Sequence, residues 1–125
     1  MIEREELSRL SRIARQIRRQ NRVEQKYLRT RLREARLEVK RLIAQFREID
    51  PDLERVILFG SLARNTIRGL QFDIDLAVRS EQLLKLVACG LRSSFQVDVV
   101  DLDRLPPSIR QAIEEHGEMI YAKKS

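Results

Sequence analysis

The sequence predicts an α/β (α+β) chain: a small mixed β-sheet flanked by helices, preceded by a long helical arm. Three observations carry this. Residues 2–49 contain neither Gly nor Pro and are rich in Arg, Glu, Leu and Gln, all strong helix formers. Val56-Ile57-Leu58-Phe59 is an unbroken apolar run that stops at Gly60-Ser61, as a strand buried on both faces would. Beyond it, two more strand-like runs are separated by a helix-like one, so strands alternate with helices. The chain divides accordingly into a basic helical arm, residues 1–50, and a core, residues 51–125.

In the arm, Leu28, Leu32, Ala35, Val39, Leu42, Phe46 and Ile49 alternate spacings of four and three, which predicts a buried seam. Leu7, Leu10, Ala14 and Ile17 form a second seam, one residue out of phase with the first. Arg18-Arg19-Gln20-Asn21-Arg22 between them is polar all round. Two helices meeting there, or one helix whose buried face rotates, both satisfy this pattern. Asp50-Pro51 ends the arm, because the residue before Pro is pushed out of the helical region. The C-terminal half of the arm is expected on the sheet. The N-terminal half, residues 2–30, is expected to meet another chain, either a partner or a second copy.

In the core, Ser61 is read as the N-cap of a short helix over Leu62–Asn65. Phe72–Val78 is the second strand, and Ser80 reads as the N-cap of a helix from Glu81 to about Arg92. Phe95–Leu102 is the third strand. Pro107 suits the first turn of a helix reaching Glu115, Gly117 caps it, and Glu118–Ala122 returns as an edge strand. Cys89 lies in an apolar run and reads as a small core residue. His116, the single histidine, reads as a helix-end cation.

Chemistry concentrates around the Gly-Ser turn. Gly60 lets the backbone turn sharply and approach a ligand. A strand, a Gly-Ser turn and a helix start together aim N–H groups at one point, which suits a phosphate. Asp73 and Asp75 are two apart in a strand and project from one face. Two adjacent carboxylates repel unless a cation lies between them, and hard oxygen ligands with open positions describe Mg²⁺. Asp98, mid-strand among Val97, Val99 and Val100, is a charge that is costly there unless it is paired or binds metal. Asp101 falls on the opposite face and reads as solvated or capping. Arg64 follows the turn closely enough to meet a phosphate oxygen.

These residues resemble a family. Gly60-Ser61, eleven intervening residues and Asp73-x-Asp75 are similar to the signature of the nucleotidyltransferase superfamily that includes DNA polymerase β. The resemblance covers roughly Leu53 to Ala122, and the ending Leu105-Pro106-Pro107, Ile109-Arg110 and Gly117–Tyr121 is similar to the tail of its minimal nucleotidyltransferase (MNT) branch. Two departures stand out. The spacing from Ser61 to Asp73 is one residue longer than the family's usual one, and Phe72 stands where Ser is common. The resemblance implies a nucleotidyltransferase fold, ATP as substrate and Mg²⁺ as cofactor. It implies metal and catalytic roles for Asp73, Asp75 and Asp98, the last as the family's third carboxylate, and nucleotide contacts from Gly60, Ser61 and Arg64. MNT proteins are commonly antitoxins that transfer AMP to a tyrosine of a helical HEPN RNase toxin. No acceptor-binding domain follows the core in this sequence, in keeping with an acceptor that is itself a protein.

Charge placement bears on the alternative. The net charge is +6. Residues 1–50 carry 15 − 8 = +7 and residues 51–125 carry 10 − 11 = −1, so the basic character belongs to the arm. A rival reading is therefore a weakly active or inactive binding module that neutralises a partner by contact, or touches nucleic acid, through the arm. No apolar run is long enough for a transmembrane helix, the first residues lack the apolar stretch of a secretory signal, and a single cysteine fits a reducing cytoplasm.

Overall fold

The structure, a computed structural model, describes residues 2–124. Helix α1 runs without interruption from Arg4 to Ile49, about 69 Å at 1.5 Å per residue. The polar stretch Arg18–Arg22 does not break it. With no Gly or Pro and with Arg, Leu, Glu and Gln throughout, nothing in the local chemistry stops a helix before Asp50. The stop itself is held by tertiary contacts. Asp50 is extended and buried, its N–H bonds to the Phe46 carbonyl, and its carboxylate accepts from the Asp52 N–H and from Ser80 Oγ.

Strands β1 (Arg55–Phe59), β2 (Asp73–Arg79), β3 (Gln96–Asp101) and β4 (Glu118–Ala122) form one sheet in the order β3-β2-β1-β4. β1 is antiparallel to both β2 and β4, while β2 and β3 are parallel. The mixed sheet expected from the sequence is therefore present. Central β1 is buried on both faces, as its apolar run requires.

The two faces carry different layers. Ile74, Leu76 and Val78 pack with Ala35, Val39, Leu42 and Phe46 of α1 and with Leu86 of α3 (Leu83–Leu91). On the other face, Ile57, Ala77 and Leu102 meet Ile113 of α4 (Pro107–His116). Ser80 is not the N-cap of α3, which is Gln82; its hydroxyl accepts from the Gln82 N–H and donates to Asp50, so it holds the turn before the helix. Cys89 is buried and bonds Gln45 Oε1 at 3.2 Å, and burial pushes its thiol pKa up. Phe46 is fully buried at the centre of the larger layer. Phe46→Ala is expected to destabilise by about 3–5 kcal/mol through lost transfer energy and a residual cavity. Chemical denaturation of the two proteins measures this, and a loss below about 1 kcal/mol would show that α1 does not anchor the sheet.

The seam of α1 is buried only from Leu32 onward, with Leu28 at its margin. From Ile2 to Tyr27 every residue is exposed. The first half of α1 accordingly has no rotated buried face. It has none at all within this chain.

Candidate active site

The site is assembled by strand register. β1 pairs Phe59 with Asp75, and β2 pairs Asp75 with Asp98, so Asp75 sits between the end of β1 and the middle of β3. Asp73 lies two residues before Asp75 and shares its face, alternating with the buried Ile74. The carboxylates of Asp73, Asp75 and Asp98 converge: one oxygen from each lies within 4.8 Å of the others. Among the described residues this is the only group of three such ligands, and no Arg, Lys or His forms an ion pair with any of its members.

Asp98 differs from its sequence reading in one respect. It is exposed, because β3 is an edge strand and its Asp98 face is open to water. A buried, costly charge is therefore not what marks this residue. Its register opposite Asp75 is. Asp75 is the strained member. Burial first, then the charges of Asp98 and Asp73 and a hydrogen bond with Asp98, raise its pKa from 3.8 to about 6. Oxygen-only donors, mutual repulsion and no protein cation describe a site that fits a hard divalent ion such as Mg²⁺.

The linkage follows directly. The folded carboxyl of Asp75 holds its proton to about pH 6, whereas the unfolded one releases it near 3.8. Between these values the native state binds more protons, so the stability owed to this group is present at low pH and is lost as pH rises through 6. Mg²⁺ competes with that proton. It is expected to raise the melting temperature more at about pH 7.5 than at about pH 5. Equal shifts at both pH values, read by scanning fluorimetry, would remove Asp75 from the metal site.

Gly60 closes the wall beside Asp75. Its φ is +77°, and a Cβ built there would lie 2.3 Å from Asp75 Oδ2. The turn thus requires glycine for conformation and for space. Helix α2 begins at Gly60 and ends at Arg64, with Asn65 left-handed after it. Ser61 is consequently the second residue of α2 and not its N-cap, and no side chain caps this helix. The helix starts two residues earlier than the sequence pattern indicates, at Gly60 and not Leu62, because the positive φ of Gly60 bends the chain straight out of β1. Arg36 of α1 fixes the other end of α2, donating to the Leu62 carbonyl at 3.2 Å while also bonding Glu118.

Arg64 is exposed and lines a cleft of about 350 Å³ together with Phe59, Gly60, Ser108, Ile109 and His116. Ser108, Ala112 and His116 follow one another at i, i+4 and i+8 on α4 and present one side of that helix to the cleft. Sequence reasoning placed His116 only at a helix end. It is there, and it also lines the cleft that Gly60 opens onto. The helical spacing is visible in the sequence, but which side of α4 meets the turn is not. Asp101 behaves as expected, accepting from the Asp103 N–H at the start of the 3₁₀ turn Leu102–Arg104. A cleft of about 540 Å³, lined by Asp50, Arg79, Ser80 and Asp103, lies at the opposite end of β2. Its charges are partly spent on one another, as in the Arg79–Asp103 pair.

The family model described as polymerase beta, nucleotidyltransferase, matches residues 40–125. Among solved structures, the fold is similar to a chain of a toxin–antitoxin crystal structure with AMP-PNP, at 23% identity and a TM-score of 0.55, covering 67% of this chain and 73% of that one. It is similar also to a chain of the toxin–antitoxin MntA-HepT, at 22% identity and a TM-score of 0.53, covering 70% and 73%. No curated protein matches the sequence.

Proposed function

Since the chain belongs to the polymerase beta nucleotidyltransferase family, we propose that it is a Mg²⁺-dependent antitoxin that transfers AMP from ATP to a tyrosine of a helical HEPN toxin and so neutralises it. The observation that carries the reading is the convergence of Asp73, Asp75 and Asp98 beside Gly60. Likeness in fold to chains of toxin–antitoxin structures, one of them with AMP-PNP, supports the partner and the nucleotide. In this reading residues 1–50 are one helical unit whose C-terminal half is built into the 51–125 core.

Asp73 and Asp75 hold the divalent ion, and Asp98 completes the oxygen set. Mg²⁺, when bound, neutralises charge on the triphosphate and on the transition state. Gly60 brings the backbone against the β- and γ-phosphates with no side chain in the way, Ser61 donates its hydroxyl to one of them, and Arg64 meets a triphosphate oxygen. The tyrosine oxygen forms a bond to the α-phosphorus as the bond from that phosphorus to the bridging oxygen breaks, and pyrophosphate leaves. The hydroxyl proton passes to Asp98, whose exposure lets an acceptor on another protein reach it.

The test is direct. Full-length protein, Mg²⁺, ATP labelled at the α-phosphate and the helical partner are expected to yield labelled partner and one pyrophosphate per AMP transferred, with both products lost in EDTA. Neutralisation of the partner with no pyrophosphate released would leave a binding module in place of an enzyme.

A further inference from the structure

Residues 4–27 of α1 are exposed throughout, and the family match begins only at residue 40. Neither the core nor the family fold requires this projecting segment, yet it carries an apolar seam. Leu7, Leu10, Ile13 and Ile17 are each about half exposed, at 52, 53, 46 and 51%. Leu10 and Phe46 are 46 − 10 = 36 residues apart, and Ile17 and Ala35 are 35 − 17 = 18 apart, which are ten and five turns of a 3.6-residue helix. On a straight 3.6-residue helix the one-residue offset of the heptad pattern disappears, and the exposed seam continues the face that α1 buries against the sheet.

The position of the arm gives that direction a meaning. At its root the Arg31 guanidinium lies 3.7 Å over the Phe95 ring, and Phe95 is 6.2 Å from Phe72. Phe72 immediately precedes Asp73, and Phe95 immediately precedes β3. The arm therefore leaves the core at the Asp73 end of β2. A cleft of about 440 Å³ opens there, lined by Arg31, Leu70, Phe72, Phe95 and Asp73, with Leu70 53% exposed. Beyond Ile17 the same side of α1 carries Gln20, Asn21 and Glu24 before it reaches this cleft, whose wall holds a candidate metal ligand.

Building on the transfer reaction above, we propose that the arm and this cleft are the dock for the acceptor protein: a helix with an apolar stripe lies along Leu10–Tyr27 and brings its hydroxyl to the carboxylates. Charge sets the partner's chemistry. Most of the arm's cations lie on the side away from the seam, but Arg9 and Arg18 flank it, so the partner helix carries acidic residues at the edges of its apolar stripe. Nucleic acid is disfavoured by geometry. Arg12, Arg15, Arg19, Arg22, Lys26, Arg29 and Arg33 alternate spacings of three and four along the side of α1 opposite the seam, so phosphates bound there would leave Leu10 and Ile17 in water.

The test uses the full chain and the double variant Leu10→Gln, Ile17→Gln. Both sites are exposed, Gln is a good helix former, and the charge of the arm is unchanged, so nucleic-acid binding by the arm would survive. Each protein is incubated with Mg²⁺ and α-phosphate-labelled ATP in an extract of the native cells, and in parallel melted with and without Mg²⁺-ATP. The expected result is labelling of a protein acceptor that falls at least about tenfold in the variant, as expected when an interface anchor worth one decade of affinity is lost, while both proteins gain the same melting shift from Mg²⁺-ATP. Equal labelling by the two proteins overturns the dock, as does sedimentation of the full chain as a dimer that the variant dissolves. Absence of both labelling and the Mg²⁺-ATP shift in the full chain would instead show that the reading of the site has failed, and the dock with it.

Discussion

Asp75→Asn is expected to lower AMP transfer by at least ~100-fold, on the scale seen when electrostatic stabilisation of a transition state is lost, and to raise the melting temperature of the metal-free protein. The two effects have one cause. Asp75 is the half-buried member of the cluster, held between Phe59 and Asp98 by register, and its charge is opposed by burial, by Asp98 and by Asp73. Asn keeps the shape and removes that charge, so above pH 6 the folded state is relieved of a cost while the proposed Mg²⁺ site loses one of its three carboxylates. The stabilisation should shrink toward pH 4, where the wild-type carboxyl is itself protonated. The Mg²⁺-induced melting shift should disappear in the variant. Full transfer by Asp75→Asn, or a lower melting temperature at neutral pH, would contradict the assigned site.

Gly60→Ala should be nearly as damaging to transfer and should also destabilise. A β-carbon would stand 2.3 Å from Asp75 Oδ2, closer than any van der Waals contact. The carboxylate is the movable party, so it yields, and in yielding it leaves the position from which it meets Asp73 and Asp98. The φ of +77° adds a conformational cost of about 1–2 kcal/mol for any L-residue. Gly69→Ala is the control: no atom lies within 4 Å of its added β-carbon, and its φ is not positive. It should keep full transfer and melt at or slightly above the wild type. Retained activity with a normal Mg²⁺ response in Gly60→Ala would show that the turn does not position Asp75.

Much of the fold was legible residue by residue. Arm composition foretold a helix ending at Asp50-Pro51, the apolar run foretold a central strand, and Pro107 and Gly117 bracket α4 as they should. The start of α2 was misread because Ser is a frequent N-cap, whereas here the positive φ of Gly60 starts the helix before Ser61 is reached. The break in the seam at Arg18–Arg22 was over-read. That stretch is exposed, and on a straight 3.6-residue helix the seams on either side of it share one face.

The sequence by itself determined the elements whose signal is local. Helix periodicity rests on neighbours three and four apart, and strand alternation on neighbours two apart, so α1 and the shared face of Asp73 and Asp75 could be read from short windows. Tertiary structure alone decided what depends on distant segments meeting. The parallel pairing that sets Asp98 opposite Asp75 and the contact between Gly60 and Asp75 are of this kind. So are the turn of α4 that brings His116 to the cleft and the departure of the arm at the Asp73 end. A one-residue slip of β3 would turn Asp98 to the α1 face, and the packing of Val97 and Val99 in the larger core layer opposes it.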